Sequence, residues 1–302
     1  MNETRHLIII TGPTAVGKTE LSIKLAQHLE TEIISADSRQ IYKELKIGVA
    51  RPSEKELNKV PHHFIGSHSI QESFTVADYE LAASEKMEEL FYGKNYVICT
   101  GGTGLYLKSL INGLDRIPRI DPSISLELQD LFEKNGLEYL QAKLSNLDPE
   151  YFEKVDLNNS RRLIRALEVY YGTGRKFSDW RTEQSKKLPY QVHYIVLDRP
   201  REELYYRINT RVDQMIQMGL LEEVKQLFKY RNHRSLQTVG YSEFFQYLEG
   251  KVDYDFALEK VKQHTRNYAK RQLTWFRGVP QAVWKSASDT DVKDILDSIA
   301  DK

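Results

Sequence analysis

Apolar residues open this chain as one short unbroken run, Leu7-Ile8-Ile9-Ile10, and continue at helical spacing through Leu21, Ile23, Leu25, Ala26 and Leu29. The first pattern suits a parallel strand buried on both faces; the second predicts a helix ending near Glu30. The alternation then recurs. Glu32-Ile33-Ile34-Ser35-Ala36 reads as a second strand, residues 76–91 as a helix, and Tyr96-Val97-Ile98-Cys99-Thr100 as a third strand. Residues 43–75, punctuated by Gly48, Pro52 and Pro61, are expected to form a loop-rich excursion.

Beyond Ile117 the texture changes. Pro118 and Asp121-Pro122 punctuate the chain, and helical spacing then runs to about residue 185. Ile124, Leu126, Leu128 and Leu131 make one run, and Leu137, Leu140 and Leu144 another. Asn158-Asn159-Ser160 precedes a third, with Leu163, Ile164 and Leu167. No strand and no internal repeat is legible there. Val192-His193-Tyr194-Ile195-Val196-Leu197 resumes the sheet, a helix follows Arg199-Pro200-Arg201, and residues 241–248 and 254–277 are helical, with a short strand at 282–284. The expected architecture is α/β: a parallel sheet core resembling P-loop NTPases (residues 1–116 with 188–302), an all-helical insertion (117–187) and a helical C-terminal part.

Composition sets bounds without naming a partner. Lys plus Arg and Asp plus Glu are both 43 among 302 residues, so no net charge announces a polyanion. Positive charge is instead local: Arg161, Arg162 and Arg165; Arg175 to Lys187; Lys229 to Arg234; and Lys262, Arg266 and Lys270 on one helix face. Interleaved with Tyr, Trp and Phe, such clusters suit phosphate contact plus base stacking on single-stranded or looped RNA. The single cysteine, Cys99, sits in an apolar strand and reads as an inert core thiol. No disulfide framework is possible, and no apolar run approaches the ~18–20 residues of a membrane helix. A soluble, cytoplasmic, monomeric protein without a membrane partner is expected.

The candidate chemistry begins at Gly12-Pro13-Thr14-Ala15-Val16-Gly17-Lys18-Thr19, which fits G-x-x-x-x-G-K-[ST] between a strand and a helix. Backbone N–H groups of such a loop wrap phosphates of a nucleotide or diphosphate; Lys18 adds a point charge and Thr19 a hydroxyl for Mg²⁺. Asp37, at the end of the second strand, shares the crevice where open α/β sheets bind ligands. It is a base or an acceptor, or else it caps a turn. The third strand ends in Thr100-Gly101-Gly102-Thr103-Gly104, without the carboxylate of an ATPase motor, so nucleotide hydrolysis is not expected. Those small residues suit close backbone approach to a ligand, with Thr103 as a donor. Arg207 and Arg211 share one helix face above the crevice, placing one of them to reach a leaving phosphate. His62-His63 lacks a third ligand at zinc spacing, and no metal site is expected there.

Taken together with Asp37-Ser38-Arg39-Gln40-Ile41-Tyr42, Pro61-His62-His63, Gly101 to Tyr106, Arg161-Arg162-Leu163-Ile164-Arg165, Val239-Gly240-Tyr241 and Ala269 to Trp275, the chain resembles the bacterial tRNA dimethylallyltransferases over nearly its whole length. It departs from the usual M-D-I-G-T-A-K-P at Leu45, Lys46, Val49 and Arg51, and from the acidic stretch after the histidine pair at Ile65-Gly66-Ser67-His68. The resemblance implies transfer of a dimethylallyl group from dimethylallyl diphosphate, with Mg²⁺, to the exocyclic amine of the adenosine 3′ of a tRNA anticodon. It implies Asp37 as general base, the phosphate loop and Lys18 on the diphosphate, and Thr103 and Arg211 assisting. Contacts to the anticodon stem-loop would come from 37–40, from 161–165 and from Gln237-Thr238-Val239-Gly240-Tyr241-Ser242. Allylic C–O cleavage leaves negative charge on diphosphate, which fixed donors stabilise. The adenine must also be turned out of its stack to reach the crevice. A P-loop small-molecule phosphotransferase, a free-adenylate prenyltransferase, and a non-catalytic RNA-binding module with a regulatory nucleotide site are the alternatives.

Overall fold

The structure, a computed structural model, describes residues 4–181 and 186–300. In chain order the elements are β1 (His6–Thr11), α1 (Lys18–His28), β2 (Ile33–Ser35), α2 (Glu54–Leu57), β3 (His62–His63), α3 (Val76–Leu90), β4 (Tyr96–Gly101) and α4 (Gly104–Asn112). Four helices follow: α5 (Pro122–Leu147), α6 (Pro149–Phe152), α7 (Ser160–Thr173) and α8 (Phe177–Trp180). The chain closes with β5 (Gln191–Asp198), α9 (Arg201–Gln217), α10 (Leu220–Leu227), α11 (Ser242–Leu248), α12 (Tyr254–Arg277), β6 (Val283–Ser286) and α13 (Val292–Ala300). It divides into two compact units, Met1–Ile111 with Lys187–Lys302, and Asn112–Lys186.

The larger unit is built on a six-stranded sheet in the order β3-β2-β4-β1-β5-β6, every pair parallel. Its central strand explains its own sequence. Leu7 and Ile9 feed one core cluster and Ile8 and Ile10 the other, so both faces are covered, and the buried Thr11 satisfies its hydroxyl by donating to the Gly101 carbonyl at 2.7 Å. Parallel strands aim all their carboxyl ends at one edge, which puts the loops after β1, β2 and β4 side by side.

Residues 43–75 are more ordered than loop composition suggests. They contain α2, opened by a Ser53–Glu56 capping box, and the edge strand β3. The strand was missed because His62 and His63 give no apolar signal. Side-chain bonds fix them instead: His63 Nε2 lies 2.7 Å from Glu32 Oε2, and His62 Nδ1 2.7 Å from the Val60 carbonyl. Among the described residues no group of three or more His, Cys, Asp or Glu side chains could hold a metal ion.

The smaller unit is helical among the described residues. Its core joins Leu128, Leu140, Leu144, Leu163, Ile164 and Leu167. Gly136, at φ 78, breaks α5 between the two apolar runs. The expected helix toward residue 185 ends at Trp180; residues 182–185 lie outside the described ones. Asp148, 1% exposed, fastens the unit by capping α6 at Tyr151 N (3.2 Å) and accepting from Ser178 N (2.9 Å) and Ser178 Oγ (2.7 Å). No described helix is long and apolar enough to cross a membrane.

Candidate active site

The phosphate loop joins β1 to α1 in a shape that only parts of its sequence permit. Gly12 has φ 142 and Gly17 φ 114, and a Cβ at Gly12 would stand 2.4 Å from the Leu197 carbonyl oxygen. Ala15 also lies in the left-handed region, at φ 64. That conformation costs an L-residue about 1–2 kcal/mol. Lys18 folds back over the loop, donating to the carbonyls of Gly12 (2.9 Å) and Pro13 (2.8 Å). Burial pulls its ammonium down to about 7; the Arg211 guanidinium acts the same way, and Asp37 opposes both. A site that unsettles a lysine this far favours an anionic occupant. Thr19 starts α1, and its hydroxyl makes no hydrogen bond within the described protein.

Asp37 takes the turn-capping place that its sequence position allowed. Its Oδ1 caps the turn after β2, accepting from Arg39 N (2.8 Å) and Gln40 N (3.2 Å). Burial lowers Lys18 and Arg211 and the Asp37 charge opposes that fall; burial raises Tyr106 and Tyr268, and the same charge adds to the rise. Lys18 and Arg211 stand at the loop after β1 and Asp37 in the loop after β2, so all three lie along the carboxyl edge of the sheet. Thr103 ties the neighbouring loop to them: its Oγ1 accepts from Ser38 N (3.0 Å) and donates to Ser38 Oγ (3.2 Å).

The glycines after β4 are packed differently from expectation. Their close approach is to the protein itself, not to open space for a ligand. A Cβ at Gly101 would sit 2.2 Å from the Ala36 carbonyl, one at Gly102 2.2 Å from Gln272 Nε2, and one at Gly104 2.1 Å from Trp275 Nε1. Gln272 was not singled out from sequence as a site residue. It is 6% exposed on α12 and clamps the crevice: Thr14 N donates to its Oε1 and its Nε2 donates to the Gly102 carbonyl, both at 2.9 Å. Gln272 falls within the helix expected over 254–277 and within the Ala269 to Trp275 motif of the resemblance, but neither says that its amide faces inward.

Arginines embrace the loop from its outer side. Arg199, just before α9, donates from Nε to Val16 O (2.8 Å), and Arg207 donates from Nε to Ala15 O (2.8 Å). Arg211 approaches Thr14 Oγ1 at 3.5 Å, and burial, with Arg207 beside it, lowers its guanidinium while Asp37 works against both.

The segments expected to touch RNA divide by burial. Ser38, Arg39 and Gln40 border the crevice but are already occupied. Arg39 Nη1 donates to Ser235 O (3.0 Å), while Gln40 Nε2 donates to Val49 O (3.1 Å) and Ala50 O (3.0 Å). Gln237 is exposed, Thr238, Val239 and Ser242 half-buried, and Gly240 buried at φ 94. Tyr241 is a correction: it is fully buried, its hydroxyl donating to Glu223 Oε1 at 2.6 Å. Glu223 also accepts from the backbone of Lys46, Ile47 and Gly48, so Tyr241 shapes the 45–52 loop from beneath. Leu163 and Ile164 are likewise core side chains, whereas Arg161, Arg162 and Arg165 are exposed. Arg165 pairs with Glu168 at 3.1 Å; Arg161 and Arg162 pair with no acid among the described residues. On α12, Lys262 is bound to Asp213 (2.8 Å) and Arg266 to Asn209 (2.7 Å), so two cations of that basic face are spent on α9 while Lys270 stays exposed.

Sheet, loop and crevice define a P-loop α/β protein, with Lys18, Arg211 and Asp37 at the carboxyl edge of its sheet. Within that class the chain belongs to the IPP transferase family, whose pattern matches residues 40–279. It is 46% identical over 278 residues to tRNA dimethylallyltransferase 1 of Bacteroides thetaiotaomicron, covering 92% of this chain and 90% of the relative. It is also 46% identical to the tRNA dimethylallyltransferase of Christiangramia forsetii over 99% of both. Among solved structures it resembles the tRNA isopentenylpyrophosphate transferase of Bacillus halodurans, with a TM-score of 0.73, 38% identity, and coverage of 98% and 96%. A eukaryotic dimethylallyltransferase acting on tRNA gives 0.79 at 30% identity, covering 95% of this chain and 75% of that one.

Proposed function

We propose that this chain transfers the dimethylallyl group of dimethylallyl diphosphate to the exocyclic amine of the adenosine 3′-adjacent to a tRNA anticodon, releasing diphosphate. One observation carries the reading: Lys18 and Arg211 both reach the phosphate loop, at the Gly12 and Pro13 carbonyls and at Thr14 Oγ1, while Asp37 caps the turn after the neighbouring strand β2. Family membership and relatives named tRNA dimethylallyltransferases support it.

The residues divide the work by charge. Breaking the allylic C–O bond moves negative charge onto the diphosphate, and Lys18, Arg211 and the loop amides stand where they stabilise that charge more than the ground state. Asp37, anchored through Oδ1, keeps its second oxygen to accept the amine's hydrogen, which aligns the weak nucleophile and takes its proton. Thr103 holds Asp37's turn in place by its bond to Ser38 N rather than donating freely.

The donors present fit Mg²⁺. With a hydroxyl at Thr19 and no acidic cage, the ion would keep waters and diphosphate oxygens as its other ligands, as Mg²⁺ commonly does. Bound there, it supplies neutralisation of the leaving group's charge.

Every group named for the chemistry belongs to one compact unit, which supports a monomer as the working form. For the anticodon stem-loop, the sheet unit offers residues 37–40 and the accessible part of 237–242, Gln237 above all; the helical unit, taken by itself, offers exposed Arg161 and Arg162. Offering dimethylallyl diphosphate with anticodon stem-loop, free AMP, or ATP and a small alcohol tests the assignment. Prenylation of the stem-loop is the expected result; product on AMP alone, or ATP consumption alone, would contradict it.

A further inference from the structure

We infer that Arg199 and Arg207 are positioning residues that aim the phosphate loop's amides, an inference resting on the diphosphate reading of that loop. Across a trans peptide, C=O and N–H point to opposite sides. The loop's carbonyls fall into two sets. Those of Gly12 and Pro13 face Lys18 Nζ, and the Thr14 N–H opposite Pro13 O is turned away to Gln272. Those of Ala15 and Val16 face Arg207 Nε and Arg199 Nε, each at 2.8 Å.

Val16 N–H and Gly17 N–H must therefore point away from the arginines. Val16 N–H meets only Pro13 O, at a long 3.4 Å. The reversal between the two sets spans Thr14 and Ala15, and the φ of 64 at Ala15 is one an alanine rarely holds unaided. Released from Arg207, Ala15 has a strain-free escape to negative φ, which swings its carbonyl inward to where a phosphate oxygen should accept.

The two anchors differ in how they are held. Arg199 is pinned by Glu203, by Ser288 Oγ (2.9 Å) and by the Ala287 carbonyl (3.2 Å), making it a fixed post. Arg207 is exposed, so replacing it need not disturb the core.

The test uses the full chain, inorganic diphosphate with Mg²⁺ in calorimetry, and steady-state kinetics. Arg207→Ala should weaken diphosphate about tenfold and raise KM for dimethylallyl diphosphate similarly. The ligand-free melting temperature and stem-loop affinity should stay put. Ala15→Gly in the same chain should restore most of the loss, because glycine holds positive φ without an anchor. Unchanged diphosphate affinity in Arg207→Ala would overturn the inference. So would strict additivity with Ala15→Gly, which would mean that Arg207 acts through its charge alone. If the parent protein itself fails to bind diphosphate, the functional reading falls and this inference with it, an outcome distinct from the other two.

Discussion

Asp37 is asked to cap a turn and to take a proton, and its two carboxylate oxygens make the division possible. Asp37→Ala should lose on the order of 10²–10⁴ in kcat with stem-loop affinity changed only a few-fold. Asp37→Asn keeps the Oδ1 acceptor for Arg39 N and Gln40 N, so it should fold normally and still be slow. Collapse of RNA affinity with kcat intact would remove Asp37 from the chemistry. Lys18 offers a pH test with a definite sign. Its ordinary value of 10.5 falls to about 7 in the folded protein, so between these values the unfolded chain binds more protons. Lys18 therefore contributes a stability penalty that is full below about pH 7 and fades as pH rises toward 10.5. Diphosphate favours the charged form, so its binding near pH 8–9 should take up a proton and weaken with rising pH. Calorimetry in buffers of different ionisation enthalpy measures that proton, and Lys18→Ala should abolish it.

Among the elements, α12 is the one whose role was least visible. Its regular apolar spacing identified a helix, and its Lys262, Arg266 and Lys270 suggested an RNA face. Packing against α9 consumes Lys262 and Arg266, and the inward residue that matters is Gln272. Gln272→Ala leaves a Gly102 carbonyl and a Thr14 N–H without partners, at a cost of about 1–3 kcal/mol for each group left unsatisfied. Thermal unfolding should show that loss, and KM for dimethylallyl diphosphate should rise with it; an unaltered melting curve would mean that the clamp holds nothing. By contrast β1, α1, β2, β4 and β5 were legible, because apolar runs and helical spacing leave few other solutions. The edge strand β3 and the burial of Tyr241 were not, since each depends on a partner remote in sequence, Glu32 or Glu223. The atypical Arg51 and Gly66 are likewise explained only by contact: a Cβ at Gly66 would stand 2.5 Å from the Arg51 guanidinium.

At the scale of the whole molecule, the proposed function draws on both units. The phosphate loop and Asp37 lie in the sheet unit, while Arg161 and Arg162 stand exposed on the helical one. Arg161→Glu with Arg162→Glu should weaken stem-loop binding and flatten the slope of log K against log salt by about one to two, with dimethylallyl diphosphate affinity unchanged. An unchanged slope would take these arginines off the RNA. Arg165, already paired with Glu168, should matter less. The central claim is prenyl transfer to one adenosine of tRNA. Unmodified tRNA incubated with this protein, dimethylallyl diphosphate and Mg²⁺, then digested and mapped by mass spectrometry, tests it most directly. A single isopentenyladenosine on the 3′ side of the anticodon, absent with Asp37→Ala, is the predicted result; unmodified adenosine throughout, or a prenyl group at another position, would contradict it.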